Sequence, residues 1–442
     1  MLLDTKLKKL LNDKQLKLVL ELEKASRDDF FTSWSFSDEE VLISAFNANE
    51  YIPRDLEEKV WHPTFDLASL TKPLFGQSSL FSLYKKDIEI IFFTKIHKLL
   101  EKLETESSTK LASLIKNSFL KETLLIHLLN HESSLIPWKW VEKSFYNESF
   151  QHILKESISI ENLQNKVSEK LIRQIIESKI QERDVVYSDL GYILLGLIIQ
   201  EILKSRNQTW TSHLSDLNAN LSSNYSHASL NPELSHHAVP YYPYKIVERK
   251  KNLRMKKEFG PVHDTNANIF ASQKNPTCHM TSCHAGLFGS ILDIEKSLSY
   301  YKKIIPSIKD KDLYENKRFF IGLDTKRVSQ EKLLGHLGYT GTSFWFSQER
   351  EYQIILLTNR TSHLKKSSLN IPRYYIITQK KSPHDHNFIR VSKCHSDWAD
   401  SQSIYKELKI INEKYETLWD DSYIQKPKNI NRLRNMLQET PE

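Results

Sequence analysis

Apolar residues recur at helical spacing in two parts of the chain. Between residues 3 and 24, leucines fall mostly three, four or seven positions apart, a pattern that predicts an amphipathic helix. A second helical, lysine-rich part runs from about residue 80 to residue 180. Within it, His127–Pro137 predicts a helix that ends in a Ser-Ser turn ahead of the proline. His131, at this helix end, is interpreted as a structural histidine rather than a ligand.

Shorter alternating runs predict strands near both ends of the chain. Phe30–Phe36 and Val41–Phe46, separated by a polar turn, predict a β-hairpin. Gly335–Gly341, Thr342–Ser347 and Tyr352–Thr358 predict further strands joined by tight turns. The combination predicts an α/β (α+β) fold, in which an antiparallel sheet flanked by helices adjoins a mainly helical domain.

The same pattern suggests where the domains divide. Residues 1–75 and 260–375 are expected to form a discontinuous sheet-containing α/β domain, and residues 76–259 a mainly helical one. Residues 376–442 are interpreted as a C-terminal extension of unknown role, with a polar loop followed by one or two amphipathic helices, Tyr405–Trp419 and Asn429–Leu437. A basic run within residues 245–257 is expected to be a solvated face.

Composition narrows the function classes. The 442 residues are 39% hydrophobic and 26% charged, as in an ordinary globular protein. The net charge of +7 comes without an Arg-rich stripe, so nucleic-acid binding is not expected. No signal-peptide core and no apolar run of membrane-spanning length is present, and the three cysteines give no disulfide framework. A cytoplasmic protein without a membrane span is therefore expected, and its oligomeric state stays open.

One string superficially resembles a zinc site. Cys278–Gly289 reads C-H-M-T-S-C-H-A-G-L-F-G and contains two cysteines and two histidines. The Cys-His pairs are adjacent in sequence, which suits tetrahedral ligation poorly, and no second ligand cluster lies at a finger-like distance. Neither a metal nor another cofactor is expected.

The stretch Phe65–Leu74, F-D-L-A-S-L-T-K-P-L, offers a candidate nucleophile. On a helix, Ser69 and Lys72 lie on one face, one turn apart. A serine hydroxyl needs a base within hydrogen-bond reach, and a lysine supplies one if burial keeps it partly neutral. Pro73 lacks an N–H, so the first turn is expected to be irregular. Because Ser and Lys are common in this chain, the pattern carries little weight alone.

Two further strings hold candidate chemistry in this glycine-poor sequence. Val185–Ile199 predicts a turn, Tyr187-Ser188-Asp189, that leads into an apolar helix whose Gly191 and Gly196 permit close packing. His336 stands between glycines on strand-like backbone, where a ligand can approach closely. Taken singly, the tyrosine is equally compatible with a half-buried aromatic and the histidine with a residue that has no role.

In this order, the three strings resemble the serine β-lactamase-like superfamily: class C β-lactamases, low-molecular-weight penicillin-binding proteins and related esterases. The S-x-x-K, Y-S-D and H-x-G motifs are Ser69–Lys72, Tyr187–Asp189 and His336–Gly338. Four accessory strings resemble the family as well: H-L-L-N-H-E-S-S-L, V-H-D-T-N-A, H-A-G-L-F and L-L-T-N-R. The resemblance covers about residues 30 to 375.

The resemblance implies the roles of the residues. Ser69 would be the acylated nucleophile, with Lys72 and Tyr187 carrying its proton and Tyr187 activating water for deacylation. His336 takes the place of the family's K-T-G lysine. The backbone N–H groups of Ser69 and Tyr339 would form the oxyanion hole. A phenol facing the cation of Lys72, and a second one when His336 is protonated, is expected to have a lowered pKa.

Three departures from the family bear on the substrate. Asp189, expected beside the substrate with Gly338, replaces an asparagine of class C enzymes. Leu337 replaces a threonine, and His336 replaces a lysine. All three weaken the recognition of a carboxylated β-lactam and favour an ester, a neutral amide or a peptide-like acyl substrate. The sequence therefore predicts a serine hydrolase acting through an acyl-enzyme, either an esterase or an amidase of D-Ala carboxypeptidase type. The alternatives are a β-lactamase, an acyltransferase and a catalytically degenerate binding protein of the same fold.

Overall fold

In the computed structural model, the largest element is a nine-stranded antiparallel sheet. The structure describes residues 11–27, 31, 33–47, 63–139, 160–180, 185–230, 262–264, 266–267, 270, 280–308, 318–328, 331–360, 373–382 and 385–394. The sheet has the strand order β12-β11-β2-β1-β10-β9-β8-β7-β6. Its strands are β1 (Trp34–Ser37), β2 (Val41–Asn47), β6 (Phe319–Phe320), β7 (Leu323–Val328), β8 (Glu331–Leu337), β9 (Ser343–Ser347), β10 (Gln353–Thr358), β11 (Arg373–Ser382) and β12 (Asp385–Cys394).

A small second sheet joins three short strands from distant parts of the chain in the order β3-β5-β4. They are β3 (Phe65–Asp66), β4 (Ser226–His227) and β5 (Leu287–Gly289). Strand β3 leads directly into the Ser69 segment, so this sheet fixes the start of the candidate nucleophile turn.

Helix α1 precedes the first strand, and the other α-helices of the described residues lie between β3 and β6 along the chain. The helices are α1 (Asp13–Arg27), α2 (Ser78–Tyr84), α3 (Ile88–Phe92), α4 (Ile96–Glu101), α5 (Glu106–Lys116), α6 (Leu125–Leu129), α7 (Ile160–Ile176), α8 (Asp189–Ser205), α9 (Trp210–Leu221) and α10 (Ile291–Ile304). Among them α8 is the most deeply buried, with all residues from Leu190 to Leu203 inside the protein. It belongs to the main hydrophobic core, which also takes side chains from the Ser69 segment and from β8 to β10. No helix of the described residues is long and apolar enough to cross a membrane.

The predicted fold class is confirmed, an antiparallel sheet flanked by helices together with a mainly helical part. The first predicted hairpin forms, with Phe36 opposite Ile43 in β1 and β2. The three predicted strands near residues 335–358 form as β8, β9 and β10. The described part of the N-terminal helix begins at Asp13, since residues 1–10 lie outside the described residues.

The predicted polar loop after residue 375 is wrong. Residues 373–382 and 385–394 form the strands β11 and β12, which continue the main sheet beyond β2. On β11, the buried Lys380 ammonium pairs with the Glu295 carboxylate of α10 and donates to Ser37, so the strand is anchored to the core. The two helices predicted beyond residue 400 and the basic run at 245–257 lie outside the described residues. The domain boundaries stay a prediction.

Candidate active site

The segment that carries Ser69 is built from two irregular helical turns. Ala68–Leu70 forms a single 3-10 turn, and Lys72–Gln77 forms a π-helical turn with Pro73 near its start. The irregularity expected from Pro73 is therefore present, since proline cannot supply the N–H that a regular α-helix needs. Ala68 adopts the left-handed region, with φ of 46°, a conformation that costs a non-glycine residue about 1 kcal/mol or more.

Local hydrogen bonds hold this strained turn. The Asp66 carboxylate accepts from the Ala68 N–H at 2.9 Å, and the Thr71 hydroxyl donates to the Ala68 carbonyl at 2.6 Å. The conformation of the turn determines which of its side chains reaches the surface. Ser69 is partly exposed, whereas residues 65–68 and 70–81 around it are all buried. The turn therefore presents one hydroxyl to the outside from an otherwise buried segment.

Lys72 is fully buried, and its ammonium group is surrounded by acceptors. Its Nζ donates to Ser69 Oγ at 3.0 Å and to the His284 carbonyl at 3.1 Å, and it lies 2.7 Å from Asp189 Oδ1. Burial lowers the pKa of Lys72, but the Asp189 carboxylate and the Tyr187 phenol outweigh it and hold the pKa above its ordinary value. The condition under which Lys72 could act as the base, a partly neutral amine, is therefore not met in the resting site, because the Asp189 carboxylate, the Ser69 hydroxyl and the His284 carbonyl surround and stabilise the ammonium.

Tyr187 stands in the turn that begins α8, and neighbouring backbone fixes that turn. The Ser188 hydroxyl caps the helix by accepting from the Gly191 N–H. His131 Nδ1 accepts from the Ser188 N–H at 3.0 Å, and the Pro137 carbonyl accepts from the Asp189 N–H at 2.8 Å. His131 thus has the structural position expected of it, although helix α6 ends two residues earlier, at Leu129.

The Tyr187 phenol stands close to the side chains of Ser69 and Lys72, and both favour its phenolate form. Its ring lies 4.8 Å from Lys72 Nζ and 6.1 Å from the His336 ring, measured to the ring centroids. The expectation of a lowered pKa is wrong. Burial raises the pKa of Tyr187, Lys72 lowers it and the Asp189 carboxylate raises it, with a raised pKa as the net result. The expected direction took account of the cation and left out both burial and the carboxylate beside Lys72.

His336 lies at the end of β8, beside a tight turn that leads into β9. Its Nδ1 makes a hydrogen bond of 2.9 Å with the Leu337 carbonyl. At Gly338 a Cβ would stand 2.1 Å from Thr342 Oγ1 and 2.8 Å from the Leu67 carbonyl, so only glycine fits there. This close approach brings the turn against the residue that precedes the Ser69 turn.

The Tyr339 N–H, the second expected oxyanion donor, belongs to this turn. The Gly338 carbonyl accepts from the Gly341 N–H at 3.0 Å, so it points into the turn. In a trans peptide the next N–H points the opposite way, which directs the Tyr339 N–H out of the turn. Thr340 donates its hydroxyl to the Asp66 carbonyl at 2.7 Å and thereby ties the turn to strand β3.

The sequence analysis missed two groups that support the site. His284, whose carbonyl binds Lys72, has its ring held at both nitrogens, by the Ser282 hydroxyl at Nδ1 and by Asp264 Oδ1 at Nε2, 2.8 Å away. Burial would raise the pKa of Asp264, but His284 outweighs it and holds the pKa at about 2. Arg360 donates to the Tyr339 carbonyl. The only features of the sequence that pointed to Asp264, His284 and Arg360 were the accessory strings V-H-D, H-A-G and T-N-R, which contain them.

The string considered as a zinc site has a different role in the described residues. Cys278 and His279 lie outside them. Cys283 is buried, which raises the pKa of its thiol, and its segment packs against α8, where a Cβ on Gly196 would meet the Thr281 carbonyl at 3.0 Å. Within the described chain, no group of three or more His, Cys, Asp or Glu side chains is arranged to hold a metal ion.

Solved structures resemble this arrangement of sheet and helices. A penicillin-binding protein homologue from Pyrococcus abyssi, octameric in its structure, matches with a TM-score of 0.49 and 15% identity over 78% of this chain and 73% of that chain. A D-stereospecific amidohydrolase from Streptomyces sp. matches with a TM-score of 0.47 and 11% identity, over 80% of this chain and 97% of that chain. A β-lactamase/D-alanine carboxypeptidase from Pseudomonas syringae matches with a TM-score of 0.48 and 10% identity, over 81% of this chain and 97% of that chain.

No protein-family model matches the chain, and no curated protein does. At identities between 10% and 15% the likeness concerns the fold, and one fold supports several reactions. The choice among these reactions rests on the residues of this chain.

Proposed function

We propose that this protein is a serine hydrolase that forms an acyl-enzyme on Ser69. The observation that carries the proposal is the cluster of three side chains, two from the Ser69 segment and one from the start of α8. The partly exposed Ser69 hydroxyl lies 3.0 Å from Lys72 Nζ, which lies 4.8 Å from the centre of the Tyr187 ring, and both Ser69 and Lys72 favour the Tyr187 phenolate. A nucleophile in contact with two groups that can hold or move its proton is the arrangement that covalent catalysis needs.

The charges of the resting site suggest how the proton moves. Lys72 is an ammonium, so Tyr187 is the group that takes the Ser69 proton, in its phenolate form. Lys72 stabilises that phenolate and passes a proton towards the leaving group. Because the pKa of Tyr187 is raised, only a small fraction is phenolate at neutral pH, and turnover should increase towards alkaline pH.

The oxyanion would be bound by the N–H groups of Ser69 and Tyr339. The Ser69 N–H stands at the start of the helical segment, and the Tyr339 N–H points out of the β8–β9 turn packed beside it. Two backbone donors at such a position stabilise the negative charge of a tetrahedral intermediate. Water, activated by Tyr187, would then release the acyl group.

The substrate class follows from the charges that a carboxylated substrate would meet. The family's lysine and threonine are replaced by His336 and Leu337, which remove a fixed cation and a hydroxyl. Asp189 adds a carboxylate 2.7 Å from Lys72. We therefore expect esters, neutral amides or peptide-like acyl compounds to react better than penicillins.

The test is covalent labelling and turnover of the Ser69→Ala variant. Wild type should gain one probe mass with a fluorophosphonate and hydrolyse short-chain p-nitrophenyl esters. Ser69→Ala should lose the adduct and reduce turnover by about a thousandfold or more. Ser82→Ala, a change in a half-buried serine on α2, serves as the matched control and should behave as wild type.

Two outcomes would contradict the proposal. Ester hydrolysis that persists in Ser69→Ala would remove Ser69 as the nucleophile. Wild type that gains no adduct with either a fluorophosphonate or a penicillin would favour a non-catalytic binding protein of this fold. Product analysis with added alcohols or amines separates hydrolysis from acyl transfer, since a transferase would form the new ester or amide.

A further inference from the structure

Asp189 has an unusual position for a carboxylate. It is the first residue of α8, directly after the capping Ser188, and its Oδ1 faces Lys72 at 2.7 Å. Lys72 is fully buried, whereas 20% of the Asp189 side chain is exposed. Oδ1 is buried, so the exposed fraction belongs to the rest of the side chain. Asp189 therefore faces the lysine with one oxygen, while another part of its side chain is reachable from outside the protein.

The position of Asp189 is fixed rather than adaptable. Its backbone N–H donates to the Pro137 carbonyl at 2.8 Å, and the helix that follows is buried along its length. The N-terminus of a helix also stabilises a negative charge on its first residues. The carboxylate is therefore held in place beside Lys72, whose Nζ lies 2.7 Å from Asp189 Oδ1 and 3.0 Å from Ser69 Oγ.

The other charges near Lys72 do not favour an anion. The field of Asp264 acts on Lys72 from the His284 side. Arg318 is a further cation, stacked 4.9 Å from the centre of the Phe319 ring, and its field acts on both His131 and Asp324. The cations Lys72 and Arg318 thus each have a carboxylate in their field, and neither is an unopposed positive charge for a substrate carboxylate.

We propose that Asp189 is a specificity residue that favours acyl groups with an ammonium group close to the scissile carbonyl. This inference rests on the proposed hydrolysis at Ser69 and names its substrate class, acyl compounds with a free amine near the reacting carbon. The exposed part of the side chain would receive the ammonium while the buried Oδ1 keeps the ion pair with Lys72. A carboxylate at the same position would be repelled by Asp189.

The experiment uses three anilides with different charges on the acyl side, and the comparison of wild type with the Asp189 variants separates the effect of charge from that of size. They are alanyl p-nitroanilide, its N-acetyl derivative and its N-succinyl derivative, each as the D and the L isomer. At pH of about 6.5 the free amine is protonated, so the series carries a positive, a neutral and a negative acyl group. In wild type kcat/KM should fall in that order, with the free amine at least about tenfold above the succinyl compound.

Asp189→Asn, which keeps the shape and removes the charge, should reduce the ratio of free amine to succinyl compound by about tenfold. Asp189→Glu should retain part of the preference. The ratio is the readout because Asp189 also contacts Lys72, and both substrates share any general loss of turnover. Added salt should weaken the wild-type preference, since the exposed part of the side chain is screened.

If the Asp189→Asn variant turns over too slowly to assay, binding affinities replace kcat/KM as the readout. In the Ser69→Ala background, affinities for the uncleaved anilides can be compared with and without Asp189→Asn by calorimetry. A wild-type ratio at or below one, or a ratio that Asp189→Asn leaves unchanged in turnover or in binding, would overturn the inference. Failure of the hydrolase proposal is a separate result, because then no anilide or ester is cleaved and Ser69 takes no label.

Discussion

The two sides of the Ser69 turn are built differently. On one side, which we call the helix side, Lys72, Tyr187 and Asp189 form a closed set of ionic and hydrogen bonds anchored on helical segments. On the other, the strand side, His336 and Tyr339 stand around the β8–β9 turn. Tyr339 is 54% exposed, whereas Lys72 is not exposed at all.

The difference separates two tasks. The helix side has its charges matched inside the protein, so a change there leaves a charge without its partner, at a cost to both stability and turnover. The strand side is held mainly by neutral hydrogen bonds of its backbone, such as the Gly338 N–H with the Thr342 carbonyl. We infer that proton transfer depends on the helix side, while the strand side supplies the Tyr339 N–H of the proposed oxyanion hole.

The largest effect is expected from Lys72→Met. The change removes the cation that contacts Ser69 and Tyr187, and turnover should fall by about a thousandfold. It also leaves the Asp189 carboxylate next to an apolar side chain, which should lower the free energy of unfolding by about 3 kcal/mol. Ester hydrolysis and urea denaturation measure the two effects separately.

The control for this change is the double variant Lys72→Met/Asp189→Asn. If the loss of stability comes from the unpaired carboxylate, the second substitution should restore most of the unfolding free energy while turnover stays lost. A double variant that is no more stable than Lys72→Met would show that the ion pair does not account for the stability of the helix side.

An intermediate effect is expected from Asp264→Ala. The substitution removes the carboxylate that holds the His284 ring, and the His284 carbonyl would then bind Lys72 in a less defined position. We expect kcat to fall about tenfold with little change in KM, because a small displacement of a catalytic group lowers the rate more than the binding. Asp264→Asn keeps an oxygen that can bind the His284 ring, so its kcat should lie between those of wild type and Asp264→Ala. Equal losses of kcat in the two variants, or a change confined to KM, would contradict this role.

Much of the fold could be predicted from local patterns. Strands β1, β2 and β8 to β10 could be predicted because apolar and polar residues alternate along them, as the period of two requires when one face of a strand is buried. Strands β11 and β12 were missed since their many polar residues are typical of a loop. Polar and charged residues are also what an edge of a sheet tolerates, and β12 is an edge strand.

The candidate site, like the fold, could be predicted from the sequence only in part. The order of the motifs predicted which segments come together, and Lys72 Nζ does lie 3.0 Å from Ser69 Oγ and 4.8 Å from the centre of the Tyr187 ring. The charge state of Lys72 could not be predicted, because it depends on the 2.7 Å separation from Asp189, more than a hundred positions away. The error in the pKa direction of Tyr187 has the same origin. The Asp264–His284 contact likewise joins two short strings whose distance in space no sequence period encodes.

The smallest effect on turnover is expected from Asp324→Asn on β7, which should change stability instead. Burial raises the pKa of Asp324 to about 6, against the fields of Arg318 and Lys72. The folded state therefore keeps a proton that the unfolded state releases, so this group lowers stability as pH rises from about 4 to about 6. Asp324→Asn removes that dependence and should raise the unfolding free energy by about 2 kcal/mol at pH 8, with little change at pH 4. Urea denaturation at both pH values measures this, and an equal gain at both would show that packing, not protonation, is responsible.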